Sequence, residues 1–200
     1  MRKLSIILTL LLVGTFTVTS CGAGDSGSGG ASSPKALFEK MKNVKDGSFA
    51  DIVKFIAPDE LPIMTFSMDV AASMMTGFGK TKVTADQYKA IRKKYNLPPF
   101  DKNSMMYMRN PQKMMEIAQK TYGKVNHAGF LKAVEKIMGD KSSGVKSTNK
   151  ASNAKIKNIK ITGDTATAVI ITKKNETDKI KFRKVNGKWY ISIKDMFMRR

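Results

Sequence analysis

The sequence predicts an α+β fold, with N-terminal helices packed on a C-terminal curved four-stranded antiparallel sheet, a meander. Three observations point there. Up to residue 139 the apolar residues recur at intervals of three and four, the period of a helix packed on one face. A polar Ser/Lys-rich stretch without periodicity fills 140–154. From 155 to 195 the period falls to two, with turn residues between the runs. Helices segregated from an antiparallel sheet define the class.

The helices follow in order. Ser33-Pro34 supplies a hydroxyl N-cap and a Pro whose missing N–H costs nothing at N1; Leu37, Phe38, Met41 and Val44 form one face, and Asp46-Gly47 stops it. Ser48-Phe49-Ala50-Asp51 reads as a variant capping box opening a second helix with Ile52, Val53 and Ile56, ended by Pro58. Ile63 to Met75 is strongly apolar and predicts a third helix. Thr84-Ala85-Asp86-Gln87 is a further capping box, and Tyr88, Ile91 and Tyr95 share the face behind it until Leu97-Pro98-Pro99 breaks the helix. Asn110-Pro111 repeats the cap-plus-Pro signal, with Gly123 as C-cap. Phe130, Leu131, Val134, Ile137 and Met138 predict a last helix closed by Gly139.

The strands are equally punctuated. Ile159 and Ile161 alternate with polar residues, and Gly163-Asp164 turns the chain. Thr165 to Thr172 is β-branched and apolar on both faces, the expectation for a central strand. Lys173 to Asp178 is a polar turn. Ile180 and Phe182 alternate with Lys181 and Arg183 before Asn186-Gly187, a strong hairpin signal. Trp189, Ile191 and Ile193 then alternate with Tyr190, Ser192 and Lys194.

The first 33 residues have another character. Arg2 and Lys3 precede an apolar run from Leu4 to Val13, and small, weakly polar residues follow to Ser20: the layout of a secretory signal peptide over 1–20. The run is far shorter than the ~20 residues that span a bilayer as a helix. Val18-Thr19-Ser20-Cys21 resembles the bacterial lipobox. That resemblance implies a diacylglyceryl group on the Cys21 sulfur, cleavage before Cys21, and acylation of the new amine. Cys21 is the single cysteine of the chain, so no internal disulfide and no Cys-based zinc site can form. Gly22 to Ser33 has no large apolar residue and reads as a flexible Gly/Ser tether over 21–33. Gly22, where the inner-membrane retention signal would place Asp, points to the outer membrane, facing the periplasm, in a Gram-negative source. The remaining 34–200 is expected as one α+β domain: helical over 34–139, a basic loop over 140–154, a meander over 155–195.

The opening SPKALFEKMKNVKDGSFADIVKFIAP and the ending ITGDTATAVIITKK…IKFRKVNGKWYISI are similar to small bacterial lipoproteins with a nuclear-transport-factor-2-like, cystatin-like cone domain. The resemblance covers 35–57 and 156–194; the stretch 58–155 does not match and reads as a helical insertion. It implies a cone under a bent sheet. Some members of that superfamily are isomerases or cyclases, and the matching motifs mark the fold rather than an activity.

Charge and composition narrow the function. Lys and Arg number 36 against 16 Asp and Glu, a net +20, which first suggests nucleic acid; an export signal excludes that partner. A hydrophobic fraction of 42% supports a packed core. Gly77-Phe78-Gly79-Lys80-Thr81 invites a phosphate-loop reading, but Met74 stands where that pattern needs its first Gly, so a helix-ending turn is expected. Methionine is abundant, and Met105, Met106 and Met108 form the least regular cluster, a candidate lining for a small apolar ligand. Thioethers also suit Cu(I), but His127 is the one imidazole available, so no metal site is assigned. His127, near a helix start, reads as a surface or capping residue. No catalytic residue is assigned and no cofactor is expected. Asp69, in an apolar helix, is either outward-facing or a pocket acid able to act as a general base. Lys146, Lys150, Lys155 and Lys157 belong to a run without acids over 141–160, either a solvated loop or a contact for anionic headgroups or envelope polymer. The expectation is a non-catalytic, lipid-anchored cell-envelope protein that binds an apolar ligand, an anionic polymer or another envelope protein. An isomerase-like enzyme is the alternative.

Overall fold

The computed structural model describes residues 29–44, 49–79, 83–99, 104–107, 110–142, 154–172 and 175–194. The expected signal peptide, Cys21, most of the tether, Met108, Lys146 and Lys150 lie outside the described residues. Helices precede a four-stranded antiparallel sheet of order β1-β2-β3-β4, so the architecture is α+β as the sequence predicts. Within 34–200 the backbone contacts group into two compact units. One holds the described residues up to Ala57 together with those from Ala154 onward; the other begins at Pro58 and holds the helices that follow.

In the sheet unit, α1 (Pro34–Lys42) starts as expected: Ser33 Oγ accepts from the Ala36 N–H at 3.1 Å, and Pro34 occupies the first turn. Its buried face, Leu37, Phe38 and Met41, packs on β1 and β4. The strands are β1 (Lys155–Thr162), β2 (Thr165–Ile171), β3 (Thr177–Val185) and β4 (Lys188–Ile191). Asn186 and Gly187 both have positive φ, 49° and 79°, the conformation that a tight hairpin turn requires. Ala166, Ala168 and Ile170 of β2, Ile180 and Phe182 of β3 and Trp189 and Ile191 of β4 point to the core. β2 lies inside the sheet as expected; on its opposite face Val169 and Ile171 are half-buried and Thr165 and Thr167 are exposed.

Helix α2 (Phe49–Val53) ends earlier than the sequence suggests. Phe55 and Ala57 leave the helical path to exchange backbone hydrogen bonds with Ile191: its N–H donates to Phe55 O at 2.7 Å and its carbonyl accepts from Ala57 at 3.0 Å. Two residues back, Ala31 and Trp189 exchange both of theirs. The outer edge of β4 is thereby covered, which satisfies backbone groups that would otherwise be open to other chains. Ile56 is drawn from the expected helix face into this pairing. The β1 edge is managed differently: its register shifts between Lys157 and Lys160, and Asn158 takes φ 54°. A bulge together with lysines makes an edge unsuitable for further strand pairing.

The helical unit opens with a 3-10 turn (Pro58–Glu60) leading into α3 (Leu61–Gly77), two residues longer at each end than the apolar run implied. α4 (Ala85–Lys94) has the expected capping box: Thr84 Oγ1 accepts from Gln87 N–H, and Gln87 Oε1 accepts from Thr84 N–H. α5 (Ser104–Tyr107) is one turn. α6 (Pro111–Tyr122) is capped by Asn110 and ends at Gly123. α7 (His127–Ser142) runs through Gly139 instead of stopping there, because a glycine permits a helix end without forcing one. α3 packs against α4, α6 and α7, and its residues are buried around most of its circumference.

Gly30 has φ 79°, and a Cβ there would lie 2.7 Å from Tyr190 Cζ. The Gly30→Ala variant is therefore expected to lose about 1–3 kcal/mol of stability. Because the chain has one Trp, Trp189, and it lies at this edge, its fluorescence in urea titration reports the loss directly.

Candidate functional site

α3 carries one acid into its apolar surroundings, and it is fully buried: Asp69 is 0% exposed. Helical spacing brings Tyr88 and Arg92, one turn apart on α4, to its carboxylate, while α6 presents Tyr122. The Tyr88 hydroxyl donates to Oδ1 at 2.6 Å and the Tyr122 hydroxyl to Oδ2 at 2.6 Å. Arg92 straddles both oxygens, Nε lying 3.0 Å from Oδ1 and Nη2 donating to Oδ2 at 3.1 Å. Burial, and then the adjacent Asp69 charge, push both phenols far above the ordinary tyrosine value, so both remain protonated donors. Phe66 packs edge-on against Tyr122 and helps exclude water from the group.

Asp69 is thus not outward-facing. Each oxygen is occupied by donors of its own chain, leaving no lone pair aimed at a substrate. The cluster is a tie among three helices. Its partners were not identified from sequence; the one local sign was the i, i+4 spacing of Tyr88 and Arg92.

One turn earlier on α3, Thr65 Oγ1 shares a 2.7 Å hydrogen bond with Nδ1 of His127. His127 is half-buried and does not cap its helix. That role belongs to Asn126, whose Oδ1 accepts from the Gly129 N–H. Burial lowers the His127 pKa from its ordinary 6.5.

An open groove of about 340 Å³ lies between α4 and α7. Ile91, Tyr95, Ala133 and Ile137 give it an apolar floor, and Lys94, Lys132 and Lys136 stand at it with no acid among the lining residues. Its shape depends on Gly129: a Cβ there would lie 2.8 Å from the Tyr95 ring, so glycine lets the tyrosine lie against the α7 backbone. Tyr95 also meets Phe130 edge-on and carries Lys94 above its face.

Met106 is 67% exposed on α5, and α5 does not line the groove. Met64 and Met114 are buried in the helical unit as ordinary packing. Lys155 and Lys157 are exposed on β1. The groove lysines were missed, although Lys132 and Lys136 flank Ala133 and Ile137 at helical spacing. Gly77-Phe78-Gly79 closes α3, with Phe78 as C-cap and Gly79 at φ 63°. Among the described residues no cluster of His, Cys, Asp and Glu could hold a metal ion, and no helix is long and apolar enough to cross a membrane.

Comparison of the chain with protein-family models, curated proteins and solved structures finds no match in any of the three.

Replacing Asp69 by Asn leaves Arg92, whose side chain is 13% exposed, without its counter-charge, and a loss of about 3 kcal/mol is expected in chemical denaturation. Tyr122→Phe, which removes one hydrogen bond to a charged group, is expected to lose about 1.5–3 kcal/mol. His127 gives a separate pH signature. Its pKa is lower folded than unfolded, so below pH 6.5 the unfolded chain binds the proton more readily. Stability is full above 6.5 and declines as pH falls from there toward the folded value. Denaturation midpoints across this range should show the decline, and His127→Gln should flatten it above the carboxylate range near pH 4.

Proposed function

We propose that the chain is a lipid-anchored protein of the cell envelope whose folded part binds a ligand and performs no catalysis. The groove between α4 and α7 carries this reading. Its volume falls in the range of small-molecule sites, its floor is largely apolar, and its charged groups are all cationic. That chemistry suits a small amphiphile with an apolar body and a negatively charged head. The catalytic alternative needs an acid facing a substrate, and the buried Asp69 has both carboxylate oxygens engaged by Tyr88, Tyr122 and Arg92. The anchor rests on the charged, apolar and small-residue order of 1–20 and on Cys21. In a Gram-negative cell such a protein would face the periplasm from the outer membrane.

Two measurements test the two halves. Cys21→Ala should release the protein from the membrane fraction and alter its mobility; retention in membranes would refute the anchor. The mature chain should bind a fluorescent long-chain carboxylate such as parinaric acid saturably. Ala133→Phe, which fills the groove, should weaken that binding roughly tenfold, equivalent to about 1.4 kcal/mol. Lys132→Gln/Lys136→Gln should weaken it several-fold. Binding indifferent to all three substitutions would refute the groove as the site.

A further inference from the structure

The strand register puts most of the sheet's cations on one side, Lys184 opposite Trp189 being the exception. Lys157, Val169 and Lys179 form a row across β1, β2 and β3 on the face turned away from the core. Lys160, Thr167 and Lys181 form the next row, and Thr162, Thr165, Arg183 and Tyr190 the one after. Lys155 and Lys188 stand on the same face at its two ends. No Asp or Glu occupies any of these positions. The nearby acids lie off the face: Asp178 pairs with Ile170 on the core side, and Asp164 and Glu176 are in turns. The rows place cations about 7 Å apart along a strand and about 10 Å apart across alternate strands. The threonines between them are exposed. The exposed cations of this face, Lys155, Lys157, Lys160 and Lys179, repel one another and are attracted to an extended negative surface.

A second observation indicates which surface. The N-terminal segment reaches the fold at this face. The Tyr190 hydroxyl, in the third row, donates to Gly29 O at 3.1 Å; Gly30 N–H donates to Lys54 O at 3.0 Å; and Ala31 is paired with Trp189. Cys21 is eight residues before Gly29, so the intervening chain spans at most about 29 Å. An acyl group on Cys21 therefore holds the rim of the cationic face within about 29 Å of the bilayer. Docking becomes an intramolecular event, and weak contacts suffice.

We propose that the outer face of the β-sheet docks on the anionic phospholipid leaflet that holds the anchor, orienting the sheet unit on the membrane. This rests on the lipid anchor proposed at Cys21 and is independent of the α4–α7 groove. Each lysine close to an anionic leaflet contributes a factor of about five to partitioning. The contact weakens with salt, since the attraction is screened over about 8 Å at physiological ionic strength.

The test uses the unlipidated full mature chain with Cys21→Ser, mixed with vesicles of phosphatidylcholine alone or of phosphatidylcholine with phosphatidylglycerol. Salt-sensitive cosedimentation is expected with the mixed vesicles only. Lys157→Gln/Lys179→Gln should lower partitioning about 25-fold. Lys89→Gln/Lys120→Gln, which removes the same charge from exposed helix positions, should leave it unchanged. Unaltered Trp189 emission would show that each variant keeps its sheet. Equal binding to neutral vesicles, or an equal loss in the two double variants, would overturn the proposal. So would capture by soluble poly(glycerol phosphate) at phosphate concentrations where mixed vesicles bind nothing, an outcome that assigns the face to a polymer. Failure of the anchor reads differently: the native protein would carry no acyl mass on Cys21 while face-dependent vesicle binding persisted.

Discussion

The Asp69 carboxylate is the constraint on which the helical unit depends. Apolar packing alone leaves helices free to slide and rotate by small amounts, because hydrophobic contact is non-directional. A buried charge removes that freedom, since it must meet its donors at defined distances or bear the full cost of desolvation. Tyr88 and Arg92 fix α4 against α3, and Tyr122 fixes α6. Thr65 and His127 fix α7 one turn away. The two walls of the groove, α4 and α7, are thus both tied to α3 by polar contacts outside the groove, while Tyr95 against Gly129 and Phe130 sets how closely they approach within it.

The sheet unit solves a different problem. A meander of four strands has two open edges, and each is handled by its own device. The β4 edge is covered by residues from well before the sheet in sequence, Ala31 and Phe55 to Ala57. The β1 edge is bent by the bulge at Asn158 and lined with lysine. Lys155 and Lys157 therefore have a structural reason to be where they are, in addition to the charge they give the outer face.

Much of this fold was legible because its signals are local. A cap such as Ser33, Thr84 or Asn110 acts on an N–H three residues away, and Asn186-Gly187 sets its own turn. The period-two pattern also gave the inner faces of β3 and β4. What was not legible depended on distant partners. The end of α2 is decided by β4, which captures Phe55 and Ala57. Asp69 could be recognised as unusual, but its burial depends on three donors from two other helices. The methionines attracted notice by their number, yet Met64 and Met114 are packing. The groove instead uses Val, Ile, Ala and Tyr, residues too ordinary to stand out in a sequence. Pro58 was expected only to end a helix within one domain over 34–200, and the compact helical unit begins at Pro58.

The position of that unit along the chain has a consequence for the order of assembly. The polar ties described for the helical unit join residues between Asp59 and Gly129, so they can form before the strands have emerged from a ribosome or an export channel. The segment from Gly29 to Ala57 comes out first but finishes last. Ala31 has to await Trp189, and Phe55 has to await Ile191. Contacts so far apart in sequence are slow to form. During that interval the N-terminal segment, with Leu37 and Phe38 still uncovered, is the part of the chain most in need of protection from aggregation.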